Sequence, residues 1–516
     1  MSGGPVRIAV EGCGHGTLHS IYASVARSAK LRGWEGVDLV IICGDFQAVR
    51  NSFDLNCMSV PPKYREIGDF HEYYSGRRLA PYPTIFIGGN HEACNHNWEL
   101  YYGGWAAPNI YYMGAANVVR FGPLRIAGLS GIWKGYNYRK PHHERIPYSP
   151  DDVKSAYHIR EWDVRKLLQL RTQVDIGLSH DWPRKIEWLG DWKTLFAKKV
   201  HFEKDARDGS LGSPAARYVL DRLRPPFWFS AHLHVKFAAT VTHKAQSASD
   251  EIKANSAAQS ATPIIPKNDD EIDLDMDDGD EQPASVAIEG LSKPTEDLRA
   301  QLPTSFLKRK VPERNITLPT EIYNQTTQFL ALDKCLAHRE FLQLLEVVPT
   351  EATPVERPFS LQYDKEWLAI TRVFAKELID GSPNESLSED KGERYYRPLI
   401  EQEETWVESN LIKSGRMGIP EDFAITAPAY DAAEGLMPRG QPVIYKNPHT
   451  QSFCDLIQIP NAFQPSADEL AVWEGRTSVT TQFDDHVYVS GRGASHRGRG
   501  RGSSRGGRGS GRGQRR

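Results

Sequence analysis

Five short polar clusters carry the side chains able to do chemistry: Gly12-Cys13-Gly14-His15-Gly16, Gly44-Asp45, Gly89-Asn90-His91-Glu92, Ser179-His180-Asp181-Trp182 and Ala231-His232-Leu233-His234. Imidazole, carboxylate, amide oxygen and thiolate are the donors that hold hard-to-borderline divalent cations. Asp45 has two carboxylate oxygens and suits a bridge between two cations. Asn90 offers a neutral oxygen, and His91 leaves the same turn in a different direction. His232 and His234 stand two apart. Extended chain would put them on one side, whereas a loop could aim them at different cations. Singly these clusters are weak, because Gly-Asp is usually a turn and His-X-His is often a strand face. All five, in this order, describe one metal-filled crevice.

Each cluster needs an element to position it, and each follows an apolar, strand-like run. The runs are Val6–Val10, Leu39–Cys43, Thr84–Ile87, Val174–Leu178 and Phe227–Ser230. Ligands of layered α/β folds collect at the carboxyl ends of strands. Thr17–Arg32 places Leu18, Ile21, Tyr22, Val25 and Ala29 on one helical face. Val118–Arg120 and Leu124–Leu129 read as strands around Gly122-Pro123. Ser149-Pro150-Asp151-Asp152 predicts a helix running to about Leu170. Ser213-Pro214 predicts another ending near Leu223. Residues 1–243 therefore read as one α/β domain.

The rest of the chain changes character. Residues 244–300 are rich in Ala, Ser, Gln and Pro, and Asp269–Glu281 holds nine acids in thirteen positions, so an acidic disordered linker is expected. Residues 301–460 regain apolar periodicity over Ile322–Leu345 and Trp367–Leu378 and read as a second, mainly helical region. Residues 461–516 read as a disordered tail whose end is Arg-Gly-Ser repeats. The whole chain has a net charge of −3, but Arg492–Arg516 alone holds nine Arg and no acid. An acidic body thus carries a basic tail.

Six cysteines in 516 residues, none in a CxxC pair, do not make a disulfide framework. The chain enters its first strand directly after Met1-Ser2-Gly3-Gly4-Pro5, with no signal peptide expected. No apolar run approaches the roughly 18 residues of a membrane span. A soluble protein of a reducing compartment is expected.

The clusters resemble those of the calcineurin-like metallophosphoesterases: Asp-X-His, Gly-Asp, Gly-Asn-His-Glu/Asp, His and Gly-His-X-His. Cys13 stands where that pattern has its first Asp, and Ala231 where it has its last Gly. The cysteine points to a narrower resemblance, to the RNA lariat-debranching enzymes, which share Gly-Cys-X-His-Gly. That similarity extends through Cys43–Asn51, Pro61–Tyr64, Ile87–Ala93, Gly103–Trp105, Leu178–Pro183, Leu211–Ala216 and Trp228–Ala239. It continues more loosely through Phe329–His338 and Tyr363–Leu368.

The resemblance implies a two-sheet αββα sandwich with a mainly helical C-terminal region. It implies that Asp45 bridges two metal positions, that Asn90, His180 and His232 complete one, and that Cys13, His15 and His234 belong to the other. His91 would be the catalytic acid and transition-state stabiliser. The reaction implied is metal-dependent hydrolysis of the 2′–5′ branch-point bond of excised intron lariats. A thiolate ligand favours Zn(II) or Fe(II) over Mg(II), so Fe(II), Zn(II) or Mn(II) is the expected cofactor. The loop from Ser130 to about Arg160 resembles the family's lariat-recognition loop. In it Trp133, Tyr136 and Tyr138 could stack bases, and Lys134, Arg139 and Lys140 could meet phosphates. The Arg-Gly tail is expected to add RNA contacts. The substrate implies the nucleus, with shuttling to the cytoplasm left open.

Two rival readings fit these residues less well. A phosphoprotein phosphatase of the same superfamily would carry Asp-Arg-Gly soon after Gly-Asp, which Phe46–Asn51 lacks. An inactive RNA-binding relative would not need the intact set Asp45, Asn90, His91, His180, His232 and His234.

Overall fold

A computed structural model describes residues 4–243, 318–351, 355–376, 384–434 and 440–463. The acidic segment 244–300 and the Arg-Gly tail lie outside the described residues. Thirteen strands are described: β1 (Val6–Glu11), β2 (Leu39–Ile42), β3 (Thr84–Phe86), β4 (Gly104–Ala107), β5 (Ile110–Tyr112), β6 (Ala116–Phe121), β7 (Leu124–Leu129), β8 (Ile176–Ser179), β9 (Phe227–Ser230), β10 (Phe237–Thr242), β11 (Thr326–Ala331), β12 (Leu342–Val347) and β13 (Leu361–Tyr363). One sheet runs β12-β1-β2-β3-β5-β4 and the other β10-β11-β9-β8-β7-β6-β13. β1, β2 and β3 are parallel neighbours, as are β7, β8 and β9. Their carboxyl ends, where the five clusters start, therefore line up along two sheet edges.

Side-chain alternation explains the layers. Val6, Ile8, Val10, Leu39, Ile41 and Ile85 share one buried cluster with Val119, Ile126, Ile176, Leu178 and Phe329 of the second sheet. The intervening residues Ala9, Val40, Ile42 and Phe86 pack instead with Leu18, Ile21 and Val25 of the helix Leu18–Leu31. Residues of one strand two apart face the same way, so one sheet feeds two layers. The helices Glu161–Leu168 and Pro214–Leu223 cover the second sheet. This is the αββα sandwich.

Two expectations are corrected. Ile322–Leu345 is not helical: it forms β11 and β12, joined by a loop. β11 inserts between β9 and β10, and β12 pairs antiparallel with β1, so this segment completes both sheets. Thr327, Phe329 and Ala331 are buried while Thr326 and Gln328 are exposed, which is a period of two. The helices described in this region lie from Lys365 onward, at Lys365–Ala375, Glu393–Val407 and Pro448–Leu456. The predicted helix from Pro150 to about Leu170 is two helices, Pro150–Ser155 and Glu161–Leu168. Between them His158 forms a bridge to Ile132, with the Ile132 N–H donating to the Tyr157 carbonyl at 3.1 Å. Gly131 makes this possible: a Cβ there would lie 2.1 Å from the Tyr157 carbonyl oxygen. Tertiary pairing thus overrides local helix propensity.

Candidate metal centre

The loop after β1 is pinned from outside the first 243 residues. Gly12 abuts Asp333, whose carbonyl oxygen would lie 2.1 Å from a Cβ at that position. The Cys13 N–H donates to the Asp333 carbonyl at 3.3 Å, and the Cys335 N–H donates to the Cys13 carbonyl at 3.2 Å. The Cys13 thiol is fully buried, and its Sγ accepts the His232 N–H at 3.2 Å. His15 follows, its ring held by the Gln47 side-chain amide 3.1 Å from Nδ1.

Asp45 sits at the centre. Gly44 lets the chain pass against His180, whose Nδ1 would lie 2.2 Å from a Cβ. Gly89 does the same against Asp45 Oδ1, also 2.2 Å from a Cβ. The His91 N–H donates to Asp45 Oδ1 at 2.9 Å. His180 Nδ1 faces the Cys43 carbonyl at 2.8 Å, and its Nε2 lies 3.3 Å from both Asp45 Oδ1 and Asn90 Oδ1. With Nδ1–H donating to that carbonyl, Nε2 presents its lone pair to the crevice. His15 Nε2 and His234 Nε2 approach to 3.4 Å, and the His180 and His232 rings to 5.0 Å between centroids. One potential donor atom each from Cys13, His15, Asp45 and His234 all lie within 4.8 Å of one another.

Two observations test whether a divalent cation fits. Asp45 Oδ2 is buried and accepts no hydrogen bond, an arrangement that is costly unless something else meets that oxygen. His15, Asp45, His232 and His234 also all hold left-handed φ angles, of 43°, 45°, 63° and 46°. Such backbone persists where surroundings over-determine it, and it clusters at functional sites. The electrostatics favour the ligating forms of Asp45, His15 and His232. Burial alone would raise the Asp45 carboxyl, but the surrounding imidazoles, His180 first, hold it well below the usual carboxylate range. Burial pushes His15 down to about 4 and His232 well below the ordinary imidazole value, leaving both neutral, the ligating form. Burial tends to lower His180 as well, but Asp45 outweighs it and raises the group. Burial and the Asp45 charge push the Cys13 thiol well up; a coordinated cation is what favours its thiolate. The donor set fits a divalent cation.

The residues expected to meet RNA in the loop 130–160 divide. Tyr136 is 59% exposed. Trp133 and Tyr138 instead pack on each other at 4.6 Å and against the core. Arg139 faces Glu161, Nε to Oε2 at 3.4 Å, and Lys140 is half-buried. Lys134 casts its charge on Asp181, the neighbour of His180. The loop is anchored beneath by fully buried Arg160, which donates to Glu144 and to the Asn137 and Ser155 carbonyls.

Three further buried charged residues lie behind the donor set. The Glu92 carboxylate accepts the N–H groups of Phe46, Gln47 and Gly89 at 2.8–2.9 Å, clamping the Asp45 loop to the Asn90 loop. Arg50 is fully buried and donates to Asp54, to Glu99 and to Thr426 at 2.8–3.1 Å. Asn95 and Glu99 lie on the helix after His91, so Arg50 ties the loops that carry Asp45 and His91 to the C-terminal region. Glu11 is fully buried with neither carboxyl oxygen hydrogen-bonded, and burial, with the Asp45 charge, pushes it well above the ordinary carboxylate value. Only Glu92 had a sequence signal, its place in Gly-Asn-His-Glu.

Comparison with known proteins places these features. Residues 6–236 match the calcineurin-like phosphoesterase family, and residues 324–462 match the C-terminal domain of lariat debranching enzyme. The lariat debranching enzyme of Schizosaccharomyces pombe is 39% identical, over 88% of this chain and 96% of its own. That of Arabidopsis thaliana is 38% identical, over 88% and 87%. That of Homo sapiens is 39% identical, over 90% and 72%.

Proposed function

The chain belongs to the lariat debranching enzymes of the calcineurin-like phosphoesterase class, and from that premise we infer what its crevice does. It is a metal-dependent hydrolase that opens the 2′–5′ phosphodiester of branched, lariat RNA. The observation that carries this is the 38–39% identity to lariat debranching enzymes over most of the chain, together with a cluster of metal donors around the orphaned Asp45 Oδ2.

Cys13, His15, Asp45, Asn90, His180, His232 and His234 would hold the metal, with Asp45 central. A divalent cation there supplies Lewis-acid polarisation of the phosphoryl group and a nucleophile at neutral pH. The protein's own residues do the rest. Asp45 fixes the His91 backbone through Oδ1, and the His91 ring stands 5.6 Å from that of His15 at the half-buried mouth of the crevice. From there His91 delivers a proton to the leaving oxygen. Glu92 and Arg50 keep the Asp45 and His91 loops in register.

The Cys13 thiol supports Zn(II) or Fe(II), with Mn(II) as the third candidate. The substrate supports residence in the nucleus. The nine Arg of Arg492–Arg516 support further RNA contacts, and deleting them should lower the salt dependence of RNA binding; an unchanged dependence removes the tail from the interface.

The test is a synthetic branched RNA beside a linear 3′–5′ control, with chelator-treated protein supplemented with Fe(II), Zn(II) or Mn(II). Selective release of the 2′-linked arm is expected. Cleavage of both substrates would leave a general phosphodiesterase, and RNA binding without cleavage would favour an inactive relative.

A further inference from the structure

The loop joining β11 to β12 reaches the metal centre. Cys13 and Lys334 are partners in a parallel bridge, closed by the two backbone hydrogen bonds from Cys13 to Asp333 and Cys335 described above. Residues paired in this way project their side chains to the same face. The Cys13 thiol projects into the crevice, so the Lys334 side chain emerges on that face, one strand spacing of about 4.8 Å further out. Lys334 is half-buried.

Other basic side chains near it in the chain or in space pair with acids. Arg339 pairs with Asp333 at 3.5 Å, and Lys236 pairs with Glu340 at 3.3 Å. A branch-point nucleotide carries three phosphodiesters, where a linear one carries two. A cation set outside the metal donors addresses a phosphate next to the one being cut.

We propose that Lys334, supplied by the C-terminal region, binds a non-scissile phosphate of the branched RNA beside the metal centre. This rests on the lariat-debranching reading. Lysine suits the task as a compact point charge on a long stem. The role is in substrate binding, and Lys334 is not a ligand of the metal.

The test uses the full chain as Lys334→Met and Lys334→Arg, with metal content, steady-state kinetics on branched RNA and the salt dependence of RNA binding measured on each. Removing one lysine–phosphate interaction predicts a rise in KM of about tenfold for Lys334→Met. The slope of log affinity against log salt should fall by about 0.7. Metal content should be unchanged, and Lys334→Arg should recover most of the KM. Unchanged KM and slope in Lys334→Met would overturn the proposal. Loss of metal in that variant would also overturn it, by showing that the bridge only holds Cys13 in place. A wild-type protein that leaves branched RNA uncut would overturn the underlying reading, and this proposal with it.

Discussion

Residues 4–243 contribute every proposed donor of the metal centre and His91, whereas residues 318–463 contribute none of them. Yet the second region is not an appendage. It adds β12 beside β1, β11 between β9 and β10, and β13 beside β6. It closes the Asp333–Cys335 backbone onto Cys13, lends Thr426 to Arg50, and anchors Arg125 of β7 through Asp364 and Glu366. The contrast teaches that chemistry and support are encoded differently. Chemistry needs particular side chains at strand ends, so it is written as motifs. Support needs only complementary edges and apolar faces, so it is written as packing between distant segments.

Substitutions at the centre should differ in kind from substitutions at the joint. The largest effect is expected from Asp45→Ala, which removes the central carboxylate. Metal content should fall to background together with activity, and metal analysis that finds the wild-type content would break the bridging assignment. Arg50→Met comes next. It leaves Asp54 and Glu99 buried without their cation, and removing one partner of such a pair costs about 3–5 kcal/mol. A large drop in the thermal midpoint is expected. A midpoint within a degree of wild type would mean that Arg50 does not join the two regions.

The third effect is pH-dependent. Burial would raise the Asp364 carboxyl, but Arg125 outweighs burial and holds it below its ordinary value of 3.8. A carboxyl lowered on folding binds fewer protons in the folded state. Its stabilising contribution is therefore complete above about pH 4 and is lost as pH falls through the folded value. Unfolding midpoints measured from pH 6 down to pH 3 should fall less steeply for Asp364→Asn than for wild type. Parallel curves would remove Asp364 from the acid sensitivity of the fold.

The same contrast explains how much of the molecule is legible in its sequence. The five clusters, the helices Leu18–Leu31 and Pro214–Leu223, and the strands before each cluster are legible because each pattern is local. β11 and β12 are not. Each is six residues long, and Phe329, Leu332 and Leu336 fall at helical spacing by coincidence. What makes them strands is the free edge of β1 and the slot between β9 and β10, neither of which is visible locally. Trp133 and Tyr138 mislead in another way. An aromatic, basic loop reads as an RNA surface, but these two rings pack inward and Tyr136 alone of the three is well exposed. Arg50 is invisible because its partners Glu99 and Thr426 are 49 and 376 residues away.

The most direct test of the account is His91→Ala, with metal content and branched-RNA cleavage measured on one preparation. His91 touches Asp45 through its backbone N–H, which alanine keeps, so the donor set should survive. The account predicts wild-type metal content with hydrolysis slowed about 10²–10⁴-fold, the usual worth of a positioned acid. Cleavage at the wild-type rate by the metal-loaded variant would contradict it and remove His91 from the chemistry.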